Sequence, residues 1–141
     1  MNDPEVIRQM LGDPAIESRS IAVVGLSSNP EKPSHYVSAY MQQQGYKILP
    51  VNPSLKEVLG EVCYPSLADL PVKPDLVNVF RVPGFLPAIV DEMLALGLRR
   101  LWVQQGIVHP EAAARAEAGG IRVVMDRCIM VEHRQIADSP R

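Results

Sequence analysis

The stretch from Ser20 to His35 holds the residues of this sequence best suited to bind an anion. A short apolar run ends in Gly25, small polar residues follow, and Ser34 then stands as a candidate N-cap of a helix. Free backbone N–H groups and the helix dipole attract negative charge at such a strand–loop–helix junction. Lys32 adds a positive charge, and Gly25 leaves room for a ligand because it has no Cβ. The stretch predicts a site for a phosphate-bearing ligand; the alternative is a turn that binds nothing.

Strand and helix patterns alternate along the rest of the chain and must position this loop. The alternation predicts an α/β fold, a Rossmann-like three-layer α/β/α sandwich with a five-stranded parallel sheet. The strands are predicted at 20–25, 46–51, 75–80, 100–104 and 121–125, and the helices at 5–11, 34–44, 87–96 with a start reaching back to Pro83, 110–118 and 129–133.

All strands of such a sheet end at one edge, because right-handed crossovers keep them parallel. Ligands of open α/β sheets bind at that edge, where the strand order reverses. The edge therefore collects four segments: 25–35, 51–53, 80–83 and 104–106.

A dinucleotide is the first ligand to consider for this edge. The first loop has one glycine, with Ser27 in place of the second glycine of the G-x-G-x-x-G pattern. The second strand ends in Asn52-Pro53, where a dinucleotide site usually has an acid that binds the ribose hydroxyls. An acid would repel a phosphorylated ribose, whereas Asn52 would not. NADP, with its 2′-phosphate, and coenzyme A (CoA), with its 3′-phosphate, both remain open.

Six short segments narrow this choice: Gly25-Leu26-Ser27, Lys32-Pro33-Ser34, Pro50-Val51-Asn52-Pro53, Val79-Phe80-Arg81, Trp102-Val103-Gln104-Gln105-Gly106 and Val124-Met125-Asp126-Arg127-Cys128. In this order they resemble the small bacterial CoA-binding domain proteins, which are similar to the nucleotide-binding domain of the succinyl-CoA synthetase α-subunit. The resemblance covers about 20–133 and implies a stand-alone CoA-binding domain. None of the three histidines stands in a stretch that matches the synthetase's phosphohistidine loop, so we expect binding of CoA or an acyl-CoA without ligase chemistry.

The resemblance and the predicted edge together give a set of candidate contacts. The diphosphate is expected on the first loop and the start of the second helix, the adenosine against the end of the second strand, and the pantetheine arm towards the end of the fourth strand. The predicted CoA contacts are Gly25, Leu26, Ser27, Ser28, Lys32, Ser34, His35, Val51, Asn52, Pro53, Phe80, Arg81, Pro83, Gln104 and Gly106.

Most of these side chains also have a purely structural interpretation. Lys32 and Arg81 can be solvated surface charges. Ser34 can serve as a helix cap alone, Phe80 as a core residue, and Gln104 as a partner for loop backbone.

Two further functions remain open. One is an enzyme, either an NADP-dependent oxidoreductase or a thiol enzyme that uses Cys128 on CoA derivatives. Asp126, Arg127, Glu132 and His133 lie near this cysteine in sequence; the structural alternative is that Asp126 pairs with Arg127 while Cys128 packs. The other function is an interaction module regulated by a nucleotide.

Bulk properties limit the remaining classes. We expect one domain over residues 1–141, with an N-terminal helix and linker at 1–19 and a frayed tail at 134–141. The net charge of −2 does not favour nucleic acid, and no apolar run approaches the roughly 20 residues that span a bilayer. Residues 1–5 do not resemble a signal peptide, which predicts a cytoplasmic protein. Cys63 and Cys128 match no metal spacing and are expected as free thiols.

Overall fold

The computed structural model describes residues 1–138. It confirms the alternation of strands and helices. The strands are β1 (Ser20–Val24), β2 (Lys47–Val51), β3 (Glu57–Val58), β4 (Glu61–Val62), β5 (Leu76–Val79), β6 (Arg100–Val103) and β7 (Arg122–Met125). The α-helices are α1 (Pro4–Leu11), α2 (Pro33–Gln43), α3 (Leu86–Leu96), α4 (Pro110–Ala118) and α5 (Ile129–Ala137). Short 3₁₀ turns lie at Leu67–Asp69 and Pro83–Phe85.

Five strands form one parallel sheet in the order β2-β1-β5-β6-β7. The chain first moves outward from β1 to β2, and then returns to the other side of β1 with β5, β6 and β7. The strand order therefore reverses between β1 and β5, which is where ligands of open α/β sheets bind. The two remaining strands, β3 and β4, pair as a separate antiparallel hairpin. The predicted Rossmann-like sandwich is confirmed.

Each face of the sheet is covered by its own set of helices. On β5, Val77 and Val79 join the core beneath α3 and α4, whereas Leu76 joins the core beneath α1, α2 and α5. Successive strand residues point to opposite faces, so a strand that is buried on both sides is apolar at almost every position, and on β5 the exception is the buried Asn78. This requirement explains the unbroken apolar runs in the sequence.

Two helix ends differ from the predictions. Helix α2 begins at Pro33 with Lys32 as its N-cap, so the prediction that Ser34 caps this helix is wrong. Proline is favoured in a first helical turn, because it has no N–H to leave unpaired. Helix α5 runs to Ala137 rather than to His133, and Ile136 packs against the core in its last turn. The helix thus covers 134–137 of the predicted tail, and residues 139–141 of that tail lie outside the described part of the chain.

Within residues 1–138, no helix combines the length and the hydropathy that crossing a membrane requires.

Candidate functional site at the carboxyl edge of the sheet

A cavity of about 760 Å³ opens where β1, β5 and β6 end. Its volume lies within the roughly 300–1,000 Å³ of small-molecule sites. It stands at the reversal of strand order, as the sequence predicts for a ligand site. The cavity is lined by Gly25, Ser27, Lys32, Pro33, Ser34, Tyr36, Val37, Phe80, Arg81, Val82, Pro83, Gln104, Gln105, Gly106, Ile107, Cys128, Met130 and Val131.

One end of the cavity is polar and is built by the loop between β1 and α2. The hydroxyl oxygen of Ser34, a residue only 6% exposed, accepts a hydrogen bond of 2.9 Å from the backbone N–H of Ser27. The Ser27 hydroxyl accepts another, of 3.0 Å, from the N–H of Asn29. Both hydroxyls keep their own hydrogen to donate. The loop is therefore folded on itself, while two O–H donors remain available at the cavity wall.

Gly25 is held by the neighbouring loop. Its φ is +90°, and a Cβ there would lie 2.7 Å from the carbonyl oxygen of Phe80 and 2.9 Å from Cδ of Arg81. The fold itself therefore requires glycine at this position, whether or not a ligand approaches. The sequence alone indicates only one reason for glycine at this position, which is access of a ligand to the backbone.

Arg81 lies on a second, adjacent wall, in the loop that follows β5. Its guanidinium carbon stands 3.9 Å from the centre of the Phe85 ring, which is a cation–π geometry. This contact restrains a long side chain at the cavity, and among residues 1–138 no carboxylate pairs with its charge. Lys32 is exposed at the start of α2 on the other wall.

The charge of the lining has one sign. Of the described residues that line the cavity, Lys32 and Arg81 carry a charge, and none is an aspartate or a glutamate. The chain as a whole has a net charge of −2. The positive character is therefore local to this site, which makes the cavity complementary to an anion.

A third wall is formed by the ends of β6 and β7. The buried side chain of Gln104 accepts a hydrogen bond of 3.0 Å from the backbone N–H of Ile129, the first residue of α5. Asp126, with a φ of +62°, accepts one of 2.7 Å from the N–H of Gly106. The indole of Trp102 donates to the carbonyl of Arg127 at 2.9 Å. These bonds join residues 102–106 with residues 126–129 into one wall. The structural interpretation of Gln104 supposed a backbone partner, and that partner is the first residue of α5.

Nine of the predicted contacts line the cavity: Gly25, Ser27, Lys32, Ser34, Phe80, Arg81, Pro83, Gln104 and Gly106. Six do not: Leu26, Ser28, His35, Val51, Asn52 and Pro53.

Among those six, Asn52 has an observed structural role. Its side-chain amide donates to the carbonyl of Leu26 at 3.1 Å, and its side-chain oxygen accepts from the N–H of Ser54 at 2.8 Å. It thus ties the loop after β2 to the loop after β1. The side chains of Leu26 and Val51 are buried in the two cores, so only their backbone is available at the edge.

Sequence reasoning missed the apolar part of the lining. The sequence pattern gives only a weak signal for these residues, because each fits an ordinary loop or helix position. Their place in the lining arises only when α2 and α5 pack side by side. The missed lining residues are Pro33, Tyr36, Val37, Val82, Ile107, Cys128, Met130 and Val131, together with the polar Gln105.

The charged residues and the histidine near Cys128 in sequence form hydrogen bonds or ion pairs with residues other than this cysteine. Asp126 bonds to Gly106, and Arg127 lies 3.7 Å from Glu132, so the suggested pairing of Asp126 with Arg127 is wrong. The Nδ1 atom of His133 forms a hydrogen bond of 2.8 Å with the hydroxyl of Tyr40.

Both cysteines are free, as expected. Cys63 is buried, and this burial raises the pKa of its thiol. Across residues 1–138, no group of three or more His, Cys, Asp and Glu side chains is placed to hold a metal ion.

Fold and site together define a Rossmann-like ligand-binding domain with a basic cavity at its topological switch point. The chain belongs to the CoA binding domain family, whose model matches residues 19–134. This confirms the family that the sequence segments indicated.

Three relatives illustrate the range of this similarity. YneT of Bacillus subtilis is 45% identical over 116 residues, which are 82% of this chain and 86% of YneT. A solved structure from Thermus thermophilus is 40% identical with a TM-score of 0.86, and the match covers 95% of this chain and 98% of that one. The ADP-forming acetate–CoA ligase II of Archaeoglobus fulgidus is 31% identical over 83 residues, which are 57% of this chain but only 12% of the ligase.

Proposed function

We propose that this protein binds CoA or an acyl-CoA in the cavity at the carboxyl edge of the sheet, without ligase chemistry of its own. The observation that carries the proposal is the charge of the cavity lining. Lys32 and Arg81 belong to it, and none of the described lining residues is an aspartate or a glutamate. CoA carries a diphosphate and a 3′-phosphate, so a site for it needs cations and hydrogen-bond donors on more than one wall.

The start of α2 supplies the donors for the diphosphate. No side chain of the described residues caps this helix, so the backbone N–H of Ser34 remains for a ligand or for water. The hydroxyls of Ser27 and Ser34 lie beside it. The helix dipole adds partial positive charge at the same place. Lys32 then serves the diphosphate from one wall, and Arg81 serves a phosphate from the other.

The adenosine part is assigned to the segment Val51-Asn52-Pro53. Pro53 is exposed beside this edge, and Asn52 holds its own loop against that of Leu26. The absence of an acid at Asn52 permits a phosphorylated ribose to lie there.

The histidines support a binding role without ligase chemistry. His109 accepts a hydrogen bond from the N–H of Ala112 and so caps α4. His133 is bonded to Tyr40 on the side of α2. His35 lies in the first turn of α2 and stays a candidate contact for a phosphate.

Isothermal titration calorimetry with CoA, dephospho-CoA, NADP and NAD tests the proposal. We expect CoA to bind, dephospho-CoA to bind more weakly because it lacks the 3′-phosphate, and the two dinucleotides to bind weakest. A ligand at about 100 times its Kd stabilises the folded state by roughly 2.7 kcal/mol, so thermal unfolding gives an independent reading. Binding of NADP in preference to CoA would contradict the proposal and point to the oxidoreductase.

Charge variants locate the site. We expect Lys32→Gln and Arg81→Gln each to weaken CoA binding about tenfold, because a hydrogen bond to a charged group contributes about 1.5 kcal/mol. The matched control is Lys73→Gln, an exposed lysine that precedes β5 at the opposite edge of the sheet. Equal affinity in all three variants would place the ligand elsewhere.

A further inference from the structure

We infer that the preferred ligand of this cavity is an acyl-CoA with an apolar acyl chain, rather than free CoA. This inference rests on the proposed function, since it assigns the apolar part of the same cavity. It adds the chemical class of the acyl group, which the basic residues of the cavity do not indicate.

The lining has an apolar part as well as a basic one. The apolar part consists of side chains from α2, from the loop after β6 and from the start of α5. Met130 and Ile107 are partly buried and pack against the two cores of the sheet. The apolar wall is defined by Tyr36, Val37, Ile107, Met130 and Val131.

This apolar wall is open to solvent at the cavity mouth. Tyr36 is 47% exposed and Val131 is 42% exposed. Val82, in the loop after β5, lines the same cavity and is 64% exposed. Single exposed apolar residues are ordinary on a protein surface, but a cluster around a cavity marks a binding site.

Free CoA does not account for such a wall. Its pantetheine arm carries two amide groups and ends in a thiol, and amides that lose water need hydrogen-bond partners. Gln104, through its side-chain N–H groups, and Gln105 can serve the pantetheine amides, since both residues belong to the lining and carry hydrogen-bonding atoms. The side chains of Ile107, Met130 and Val131 offer no hydrogen-bond partners, so free CoA leaves them without a matching group. An alkyl chain that continues beyond the thiol as a thioester needs no such partners.

The apolar wall is also continuous with the basic end of the cavity. Both belong to one volume of about 760 Å³. A protein partner docked on the exposed apolar residues would have to cover an open cavity with Lys32 and Arg81 on its walls. A single ligand with phosphates at one end and an alkyl chain at the other matches both ends together.

The test is the affinity of the unmodified protein for a chain-length series. Kd is measured by calorimetry for CoA and for acetyl-, butyryl-, hexanoyl- and octanoyl-CoA, with a thiol assay to verify that the thioesters stay intact. Burial of one methylene group is worth about 0.8 kcal/mol, so we expect Kd to fall by about two- to fourfold for each methylene that the wall covers. Octanoate without CoA serves as the control for nonspecific binding of an alkyl chain.

Two substitutions that keep side-chain size test where the acyl chain binds. The double variant Met130→Gln and Val131→Thr keeps side-chain size while making the wall polar, and we expect it to weaken octanoyl-CoA about tenfold and CoA by less than twofold. Val72→Thr is the control, since Val72 is an exposed valine at the opposite edge of the sheet.

The outcomes separate this inference from the proposed function. A Kd that is the same for CoA and every acyl-CoA would overturn the acyl preference and leave CoA binding intact. A chain-length effect that survives the double variant would also overturn it, because the acyl chain would then lie elsewhere. No binding of CoA or of any thioester would overturn both.

Discussion

Gly25 shows how one residue can serve the fold and the site together. It ends β1, and its N–H donates to the carbonyl of Val51 at 3.0 Å, which extends the pairing of β1 with β2. On the other side, the Phe80 carbonyl fills the space that a Cβ would need. Glycine at this position therefore lets the loops after β1 and β5 approach each other and form adjacent walls of the cavity.

Replacement of Gly25 by alanine is expected to destabilise the protein. The variant combines a positive φ with a close contact to backbone, so we expect the free energy of unfolding to fall by about 3 kcal/mol. Urea unfolding followed by circular dichroism measures this change. Gly60→Ala is the matched control, because Gly60 has a φ of +73° but nothing within 4 Å of its Cβ position. We expect about 1–2 kcal/mol there; an equal loss in both variants would show that the Phe80 contact contributes nothing.

At the scale of the element, helix α5 completes the cavity although its sequence signal is weak. Its N-cap residue, Cys128, makes no side-chain capping bond. The missing acceptor comes from Gln104 at the end of β6, which is 5% exposed. A side chain from a neighbouring strand thus sets where α5 begins, and Met130 and Val131 reach the cavity from that first turn.

Gln104→Ala tests this capping role. The substitution removes the acceptor of the buried Ile129 N–H, so we expect the free energy of unfolding to fall by about 1–3 kcal/mol. Chemical denaturation of the variant is compared with that of Gln105→Ala, which alters the exposed neighbouring residue. If the two variants lose the same stability, α5 does not depend on Gln104.

At the scale of the whole molecule, the N-terminal segment fastens the outer parts of the sheet. Asn2 pairs with the backbone of Met125 on the edge strand β7, through bonds of 2.7 and 2.9 Å. The buried Tyr46 hydroxyl, next to the start of β2, donates to the carbonyl of Leu11 at 2.9 Å. The family match begins only at residue 19, so these contacts connect the matched domain with the segment before it.

The phenol of Tyr46 predicts how stability changes in alkali. Burial raises its pKa from 10.0 to about 12, and this effect outweighs the nearby charge of Arg19, which lowers the pKa. The unfolded chain therefore loses this proton at lower pH than the folded one. The contribution is complete below pH 10 and is lost as pH rises towards about 12, by up to about 2–3 kcal/mol.

Urea unfolding of the wild type and of Tyr46→Phe between pH 8 and pH 11.5 checks this dependence. Lysines titrate in the same range in both proteins, so the difference between the two free energies isolates Tyr46. We expect this difference to shrink as pH rises above 10. A difference that stays constant would mean that the phenol titrates alike in both states.

Most of the architecture could be predicted because it follows from local patterns. The apolar run 21–24 is typical of a strand buried on both faces, and proline and glycine mark many element ends. The small hairpin of β3 and β4 was not predicted as such, since strands of two residues carry almost no periodic signal. The end of α5 was misplaced because Ile136 owes its helical state to packing against the core.

The sequence by itself determined the fold class, the family and the polar end of the candidate site. These depend on residues that are close in the chain: the loop of Gly25, Lys32 and Ser34, and the strand ends that follow it. Parallel strands must bring such ends to one edge, so their meeting needs no further information.

Only the tertiary structure decided which side chains line the cavity and which bond within the protein. The side chain of Asn52 bonds to the backbone of Leu26, and that of Gln104 bonds to the backbone of Ile129. It also brought Tyr36 of α2 and Met130 of α5 to one wall. The physical reason is that the role of an acceptor or an apolar surface depends on what packs against it. Tyr36 and Met130 are about 94 positions apart in the chain, so no local sequence pattern shows that they line the same cavity.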